Sequence, residues 1–457
     1  MLGLKKAPMK KAGRKHSVTY RDFRVYGEGG KETLRAVNSL NCDCRDGVLK
    51  TGLGVTQYTM KSGANPTLAA VTAKVDGLFS IDLVDQLSAA VYSESLQMVT
   101  EDGKLWIYSE SSKTFVGGAP IGAGASAGTA VDVSSQKPRS IFVGPTRSML
   151  VEDGQVLGVA LSSTTDAICV CGNRIFMGLK EFKLVFSSPE KAFVFTPDTT
   201  DESGTLQLPF ETGRVAALLT FEDKVYVFCE RGIYRLHADG SAREFRLSAL
   251  EYGGGKIFGK TVGAQGKGIF FLAEDGLYRL YGESVKRVCR HLPIYPKADG
   301  LRCNHGSFGG DYIVRYMDTN GKRRMLVVDS EGKDGYFTSN FEGLSEHNGK
   351  TLFRYGDTVG MLTTRGALPT GEVYAFTSEK VDFGGLGNKT LTALRFEGTG
   401  SFDCRVVVDG KTYEERLVFE NGIAKWKKRL RGKVFQFGFV LSSGAEIRGM
   451  TAEVVTA

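Results

Sequence analysis

Gly124-Ala125-Ser126-Ala127-Gly128 satisfies the Gly-x-Ser-x-Gly pattern, and Gly122 with Gly124 begins a dinucleotide-like one. Both chemistries need an apolar strand before the glycines and a helix after them, because the sharp turn or the helix N-terminus does the work. Here residues 117–130 are almost all Gly, Ala and Ser, a composition that produces such matches by chance. Gly384-Gly385-Leu386-Gly387-Asn388-Lys389-Thr390 approaches a phosphate loop, but Asn388 stands where the glycine before the lysine belongs. It reads instead as a junction between modules.

Eight cysteines include two Cys-x-Cys pairs, Cys42/Cys44 and Cys169/Cys171. On a strand each pair puts both thiols on one face, so four sulfurs are available in principle for zinc. Zinc knuckles use the longer Cys-x-x-Cys spacing, and buried, reduced thiols are the expectation. The five histidines, His16, His237, His291, His305 and His347, form no ligand spacing, and Cys303 with His305 lacks a third donor. Asp198, Asp201 and Glu202 make an acidic loop without the spacing of a helix–loop–helix calcium site. No catalytic residue, cofactor or metal is therefore expected.

Charge is the strongest local signal. Lys5, Lys6, Lys10, Lys11, Arg14 and Lys15 give residues 1–16 a charge of +6 without an acid. Lys425, Lys427, Lys428, Arg429, Arg431 and Lys433 give residues 424–433 another +6. The chain's net charge is +8, so the remainder is a slightly acidic body of −4. A uniformly basic nucleic-acid binder would distribute its charge over a face or groove. The first segment reads as a flexible arm. In the second, strand alternation predicts Lys425, Lys427, Arg429 and Arg431 on one face and Trp426, Lys428 and Leu430 on the other. Such an edge either blocks aggregation or docks an acidic surface or phosphates.

The elements that carry these residues are strands. The 457-residue chain holds 58 Gly but only 11 Pro, and 42% of it is hydrophobic. That composition excludes global disorder and points to many tight turns between short strands. No run approaches the ~18 apolar residues of a membrane-spanning helix, and the basic start lacks a signal peptide's apolar core. A soluble protein made in a reducing compartment is expected.

The segment Val225–Leu236 aligns without a gap to Ile269–Leu280, an offset of 44 residues. Each copy is an apolar strand, a Glu-x-Gly turn and a strand ending Tyr-Arg-Leu. Looser copies fall at Leu96–Tyr108, Ile175–Phe186 and Tyr312–Val328, with Thr358–Thr363 and Val373–Phe376 as a last one. This period matches one four-stranded propeller blade, and the span to residue 385 holds about seven, or six if the loops at 116–135 and 189–212 are long. At the C-terminus, Ser401–Val408, Asp409-Gly410, Thr412–Phe419, Asn421-Gly422, Ile423–Leu430 and Val434–Leu441 read as a strand meander. The expectation is an all-β chain: a basic arm at 1–16, a segment at 17–74 leading into and closing the propeller, a β-propeller of six or seven blades at 75–385, and an antiparallel β-sandwich at 386–457.

The N-terminal order Phe23-Arg24-Val25-Tyr26-Gly27, then Leu34–Cys42, then Asp46-Gly47-Val48-Leu49-Lys50-Thr51-Gly52-Leu53-Gly54 resembles the opening of bacteriophage tail and neck β-propeller proteins. Lys50-Thr51-Gly52 stands where those proteins often carry Arg-Pro-Gly. The C-terminal module is similar to their terminal sandwiches in Lys389-Thr390-Leu391, in the Val406–Gly410 hairpin, and in Arg429-Leu430-Arg431-Gly432-Lys433 before a Phe-x-Phe strand. The resemblance implies a virion structural protein: a homo-oligomeric ring of hub, nozzle or neck type, made in the host cytoplasm, through which DNA passes. It brings no catalytic residues. Copies of the chain, neighbouring tail or neck proteins and, non-specifically, genomic DNA would then be the partners of the twelve basic residues.

Two other readings compete. A glycan- or receptor-binding propeller of a tail tip would use recurring tyrosines, Tyr108, Tyr234 and Tyr278, although the last two read more simply as packing between blades. A polysaccharide-cleaving propeller enzyme would need paired rim carboxylates, for which the turns offer Glu101, Glu230 and Glu274.

Overall fold

The computed structural model describes residues 14–25, 30–69, 71–84, 91–122, 125–129, 139–152, 155–189, 191–196, 202–238, 241–297, 303–347, 349–363, 368–369, 371–384 and 387–456. Among them the chain is strands joined by turns, with helix confined to three 3-10 turns of three residues each. It divides into two compact units. The larger comprises Gly54–Gly335 and Ser339–Thr364; the smaller comprises Met1–Leu53, Tyr336–Thr338 and Arg365–Ala457.

Consecutive strands from Val75 onward hydrogen-bond into antiparallel four-stranded sheets, and seven such sheets follow one another. The repeat is explained by register. In the fourth sheet Val225 pairs with Leu236 and Cys229 with Gly232; in the fifth, Ile269 pairs with Leu280 and Ala273 with Gly276. The Glu-x-Gly turns therefore sit at the same place in each hairpin. Tyr234 and Tyr278 are buried in the apolar layers on either side of the fourth sheet, one shared with the third sheet and one with the fifth.

Such layers continue around the unit. Phe79, Ile107 and Phe142 join the first two sheets, Ile141 and Ile175 the next pair. Phe270 stacks on Tyr312 at 5.1 Å between the fifth and sixth. Thr351 exchanges hydrogen bonds with the backbone of Ser307 between the sixth and seventh. The circle closes where Tyr58, Leu352 and Val359 of the seventh sheet meet Leu78, Leu96 and Met98 of the first. The seventh sheet is itself completed by Gly54–Gln57, which pairs with Thr358–Thr363. Stacked four-stranded sheets closed on themselves make a β-propeller, which buries both faces of every sheet and leaves only short edges.

Val373–Phe376 departs from the expectation. It belongs to the strand Tyr374–Val381, which lies in the smaller unit between Thr33–Leu40 and Phe435–Leu441. The loops anticipated at 116–135 and 189–212 also carry strands, Ser126–Thr129 and Gly204–Gln207 among them.

The smaller unit has a six-stranded and a seven-stranded sheet. One apolar core, with Phe23, Phe376, Phe396, Phe402, Trp426, Phe437 and Phe439 at its centre, is common to strands of both. The period-two phenylalanines Phe435, Phe437 and Phe439 all point into it, as alternation requires. The C-terminal residues do not build this unit alone, as the boundary at 386 had implied. Arg14–Tyr20, Cys42–Asp43 and Leu49–Thr51 contribute to one sheet, and Asp22–Arg24, Thr33–Leu40 and Tyr374–Val381 to the other. Phe23, Leu34, Cys42 and Leu49 are fully or nearly fully buried there, so the N-terminal segment supplies core that the C-terminal strands lack.

Candidate docking surface

The seven-stranded sheet is organised around Lys389–Thr399, which pairs on one side with Glu446–Thr456 and on the other with Ile423–Trp426 and Leu430–Gly432. Glu446–Thr456 pairs in turn with Arg14–Tyr20, from Arg14 opposite Thr456 to Tyr20 opposite Met450. These registers place the two basic segments in common transverse rows. Arg431, Thr390, Val455 and Lys15 form one row, and Lys425, Arg395, Thr451 and Thr19 another. Three strand spacings of about 4.8 Å separate the ends of a row, roughly 14 Å. Within the second row, Thr19 and Thr451 join their two strands by a hydroxyl contact of 3.1 Å.

The basic segment is not the continuous strand its alternation predicted. Pairing passes from Leu394–Trp426 to Leu391–Leu430, so four residues on one strand answer three on the other, and 427–429 leave the ladder. Unbroken alternation would aim Lys428 into the core between Trp426 and Leu430, which are 0% and 5% exposed. Desolvating an ammonium there is costly, and the irregularity turns Lys428 outward. Its ammonium lies 5.0 Å from the Trp426 ring centroid and 3.3 Å from the Glu415 carboxylate.

Lys425, Lys427, Arg429, Arg431 and Lys433 are all exposed, and among the described residues none enters an ion pair. The carboxylate of Asp409 is close to Lys433 but accepts the backbone N–H groups of Lys433 and Val434, which hold its acid below the usual range. Lys15 pairs with Glu453 at 3.1 Å, and Arg395 is 4.0 Å from Glu397. Arg14 and Lys15 thus belong to a sheet rather than to an arm. Lys5, Lys6, Lys10 and Lys11 lie outside the described residues.

The other sequence motifs are dispersed. Ser126 opens a strand, Ser126–Thr129, that pairs with Ser140–Val143, and Gly124 lies outside the described residues. Lys389 begins a strand and is buried, while Gly385 and Leu386 lie outside the description. Cys42 and Cys44 are buried in the smaller unit; Cys169 and Cys171 are half-buried in the larger one, and all are free thiols. Burial pushes the Cys169 thiol up to about 12 and Cys42 further still, away from thiolate. His305 bonds to the Lys260 carbonyl at 2.9 Å. Glu202 meets Arg174 at 2.6 Å, and Asp198 and Asp201 are outside the described residues. Among the described residues no three His, Cys, Asp or Glu side chains converge as a metal site.

The turn carboxylates are each engaged locally. Glu230 pairs with Lys256 at 2.9 Å, Glu274 accepts the Lys256 N–H at 3.3 Å, and Glu101 lies 3.6 Å from Arg323. Tyr108, like Tyr234 and Tyr278, is buried.

No known family profile and no curated protein matches the chain. Among solved structures it is similar to crystal structures of BBS1N in complex with ARL6DN, one soaked with lead and one with mercury. Identity is 10% and the TM-score 0.43 in both; 69% and 70% of this chain and 98% of the other are covered. Similarity at this level transfers no function. No helix among the described residues is long and apolar enough to cross a membrane.

Proposed function

We propose that the chain is a non-catalytic virion structural protein, a subunit of a homo-oligomeric ring of hub, nozzle or neck type in a bacteriophage tail, through which DNA passes. In this reading the seven sheets of the larger unit are seven blades and the smaller unit is a β-sandwich. The observation that carries it is that the two ends bearing the resemblance, residues 23–53 and 389–437, fold into one unit around a single core. Two sequence blocks that resemble the same proteins at opposite ends of a chain are then one structural module. Identical rigid subunits joined head to tail around an axis close into a ring when the rotation between them allows it. Copies of the chain and neighbouring virion proteins are the partners this reading calls for.

Light scattering at low and high salt, beside negative-stain imaging, tests this reading. Rings of one defined stoichiometry are expected. A strict monomer at every salt and concentration, together with glycan binding, overturns it in favour of the tail-tip lectin.

A further inference from the structure

We infer that the outer face of the seven-stranded sheet, around Lys425, Lys427, Arg429, Arg431 and Lys433, binds the phosphate backbone of nucleic acid without reading its sequence. The inference goes beyond ring assembly and does not depend on it.

Three observations carry it. First, these five cations are exposed and have no ion-pair partner among the described residues, whereas Lys15, Arg395 and Lys428 on the same unit are paired with glutamates. Unpaired cations held close together repel one another, and a polyanion relieves that repulsion while releasing its own condensed counterions. Second, the unneutralised charge is concentrated on one edge of the sheet, since the cations that the register places across from it, Arg395 opposite Lys425 and Lys15 in the row of Arg431, are matched by Glu397 and Glu453. Third, the surface lacks what a protein partner would need. Among the described residues the exposed large apolar side chains, such as Phe210, Tyr281, Tyr295 and Val418, lie on other strands or loops. Protein–protein interfaces have an apolar, aromatic centre poor in lysine, while nucleic-acid interfaces are polar and strongly positive. Trp426, the one aromatic of the segment, is fully buried and unavailable for base stacking, which favours backbone contact over base recognition.

The test uses the full-length protein with a fluorescein-labelled 30-base-pair duplex of random sequence, the matching single strand, and a polyglutamate peptide. Five phosphate contacts predict a log–log salt slope of about −4.5 for duplex and about −3.5 for single strand, a several-hundredfold loss of duplex affinity from 50 to 200 mM salt. The quadruple variant Lys425→Gln, Lys427→Gln, Arg429→Gln and Arg431→Gln should lower the duplex slope to about −1. All four positions are exposed, and an unchanged far-UV circular dichroism spectrum and Tm verify the fold. A control that removes four exposed cations of the larger unit, Lys224, Lys267, Lys286 and Arg290, should leave the slope within about one unit. The inference is overturned if the quadruple variant binds like the parent, if the control loses as much, or if the parent binds polyglutamate through these residues and neither nucleic acid. A strict monomer that binds glycan and also binds DNA in this way would overturn the ring and leave this inference standing.

Discussion

Lys350 of the seventh sheet donates a hydrogen bond to the Glu94 carboxylate of the first sheet, across 256 residues of sequence and at the seam where the propeller closes. The same ammonium reaches the Tyr58 hydroxyl at 2.9 Å and Ser80 Oγ at 3.1 Å, and both hydroxyls also donate to Glu94. The Lys61 N–H adds a bond of 2.8 Å to the second carboxylate oxygen. With a side chain only 1% exposed, Glu94 is a buried charge whose acceptor sites are filled from both sheets. A satisfied buried network of this kind specifies one closure of the circle, since breaking it strands a charge.

Burial raises the acid of Glu94, but the bonds from Lys350, Ser80, Tyr58 and Lys61 outweigh it and bring the pKa from 4.5 to about 2. The folded value lies below the unfolded one, so this stabilisation is complete above pH 4.5 and is lost as pH falls toward 2. Glu94→Gln should cost on the order of 3 kcal/mol at neutral pH. Urea denaturation between pH 7 and 2.5 checks it: the gap between parent and variant should narrow only below pH 4.5. A constant gap would mean that the charge contributes nothing.

His347 titrates in a different window. It packs edge-on against Phe79 at 5.8 Å, and its Nε2 has no hydrogen-bond partner among the described residues. Burial lowers its pKa from 6.5 to about 4 against the opposing pull of Asp82, so the folded ring is neutral. Its contribution is full above pH 6.5 and is lost as pH falls through 4. His347→Gln should therefore gain about 3 kcal/mol relative to the parent between pH 7 and 4. Histidine ring NMR gives the direct reading; a His347 pKa near 6.5 refutes it.

Gly259 marks a close backbone approach in the larger unit. A Cβ there would fall 1.8 Å from the carbonyl oxygen of Ala216, and neither backbone can yield cheaply. Gly259→Ala should cost about 1–3 kcal/mol and lower Tm by several degrees. Gly253, where a Cβ meets open space, is the internal comparison and should tolerate alanine within about 0.5 kcal/mol.

Each unit carries one of the two tryptophans, Trp106 in the larger and Trp426 in the smaller. In a Trp106→Phe background, fluorescence reports the smaller unit alone. Phe23 is fully buried there, with ring contacts to Phe376 at 5.9 Å and Phe439 at 6.4 Å. Phe23→Ala should shift the Trp426 unfolding transition by about 3–5 kcal/mol. An unshifted transition would mean that the N-terminal segment does not build this core.

Much of the local architecture was legible. The strand Ser401–Val408 and the strand Thr358–Thr363 fall where alternation placed them, and Asp409 and Asn421 take the left-handed φ values, 47° and 51°, that their turns require. The hairpins of the fourth and fifth sheets follow from a repeat of apolar residues around Glu-x-Gly. Other readings failed for identifiable reasons. Val373–Phe376 has the composition of a blade strand, but its neighbours are Leu40 and Val440 rather than a propeller hairpin. Lys428 broke the alternation because an ammonium would not stay in the core. The Glu94–Lys350 network gave no signal, since a glutamate on one strand and a lysine far along the chain are unremarkable until the circle closes.

The sequence by itself determined that this chain would be short strands and tight turns, how its hairpins would register, and that its positive charge would sit in two segments. Tertiary structure decided which strands became neighbours. Backbone N–H and C=O groups are the same in every strand, so a ladder accepts any partner, and the choice falls to side-chain packing that forms only when distant segments meet. That is why Lys15 and Arg431, separated by most of the chain, share a row of one sheet.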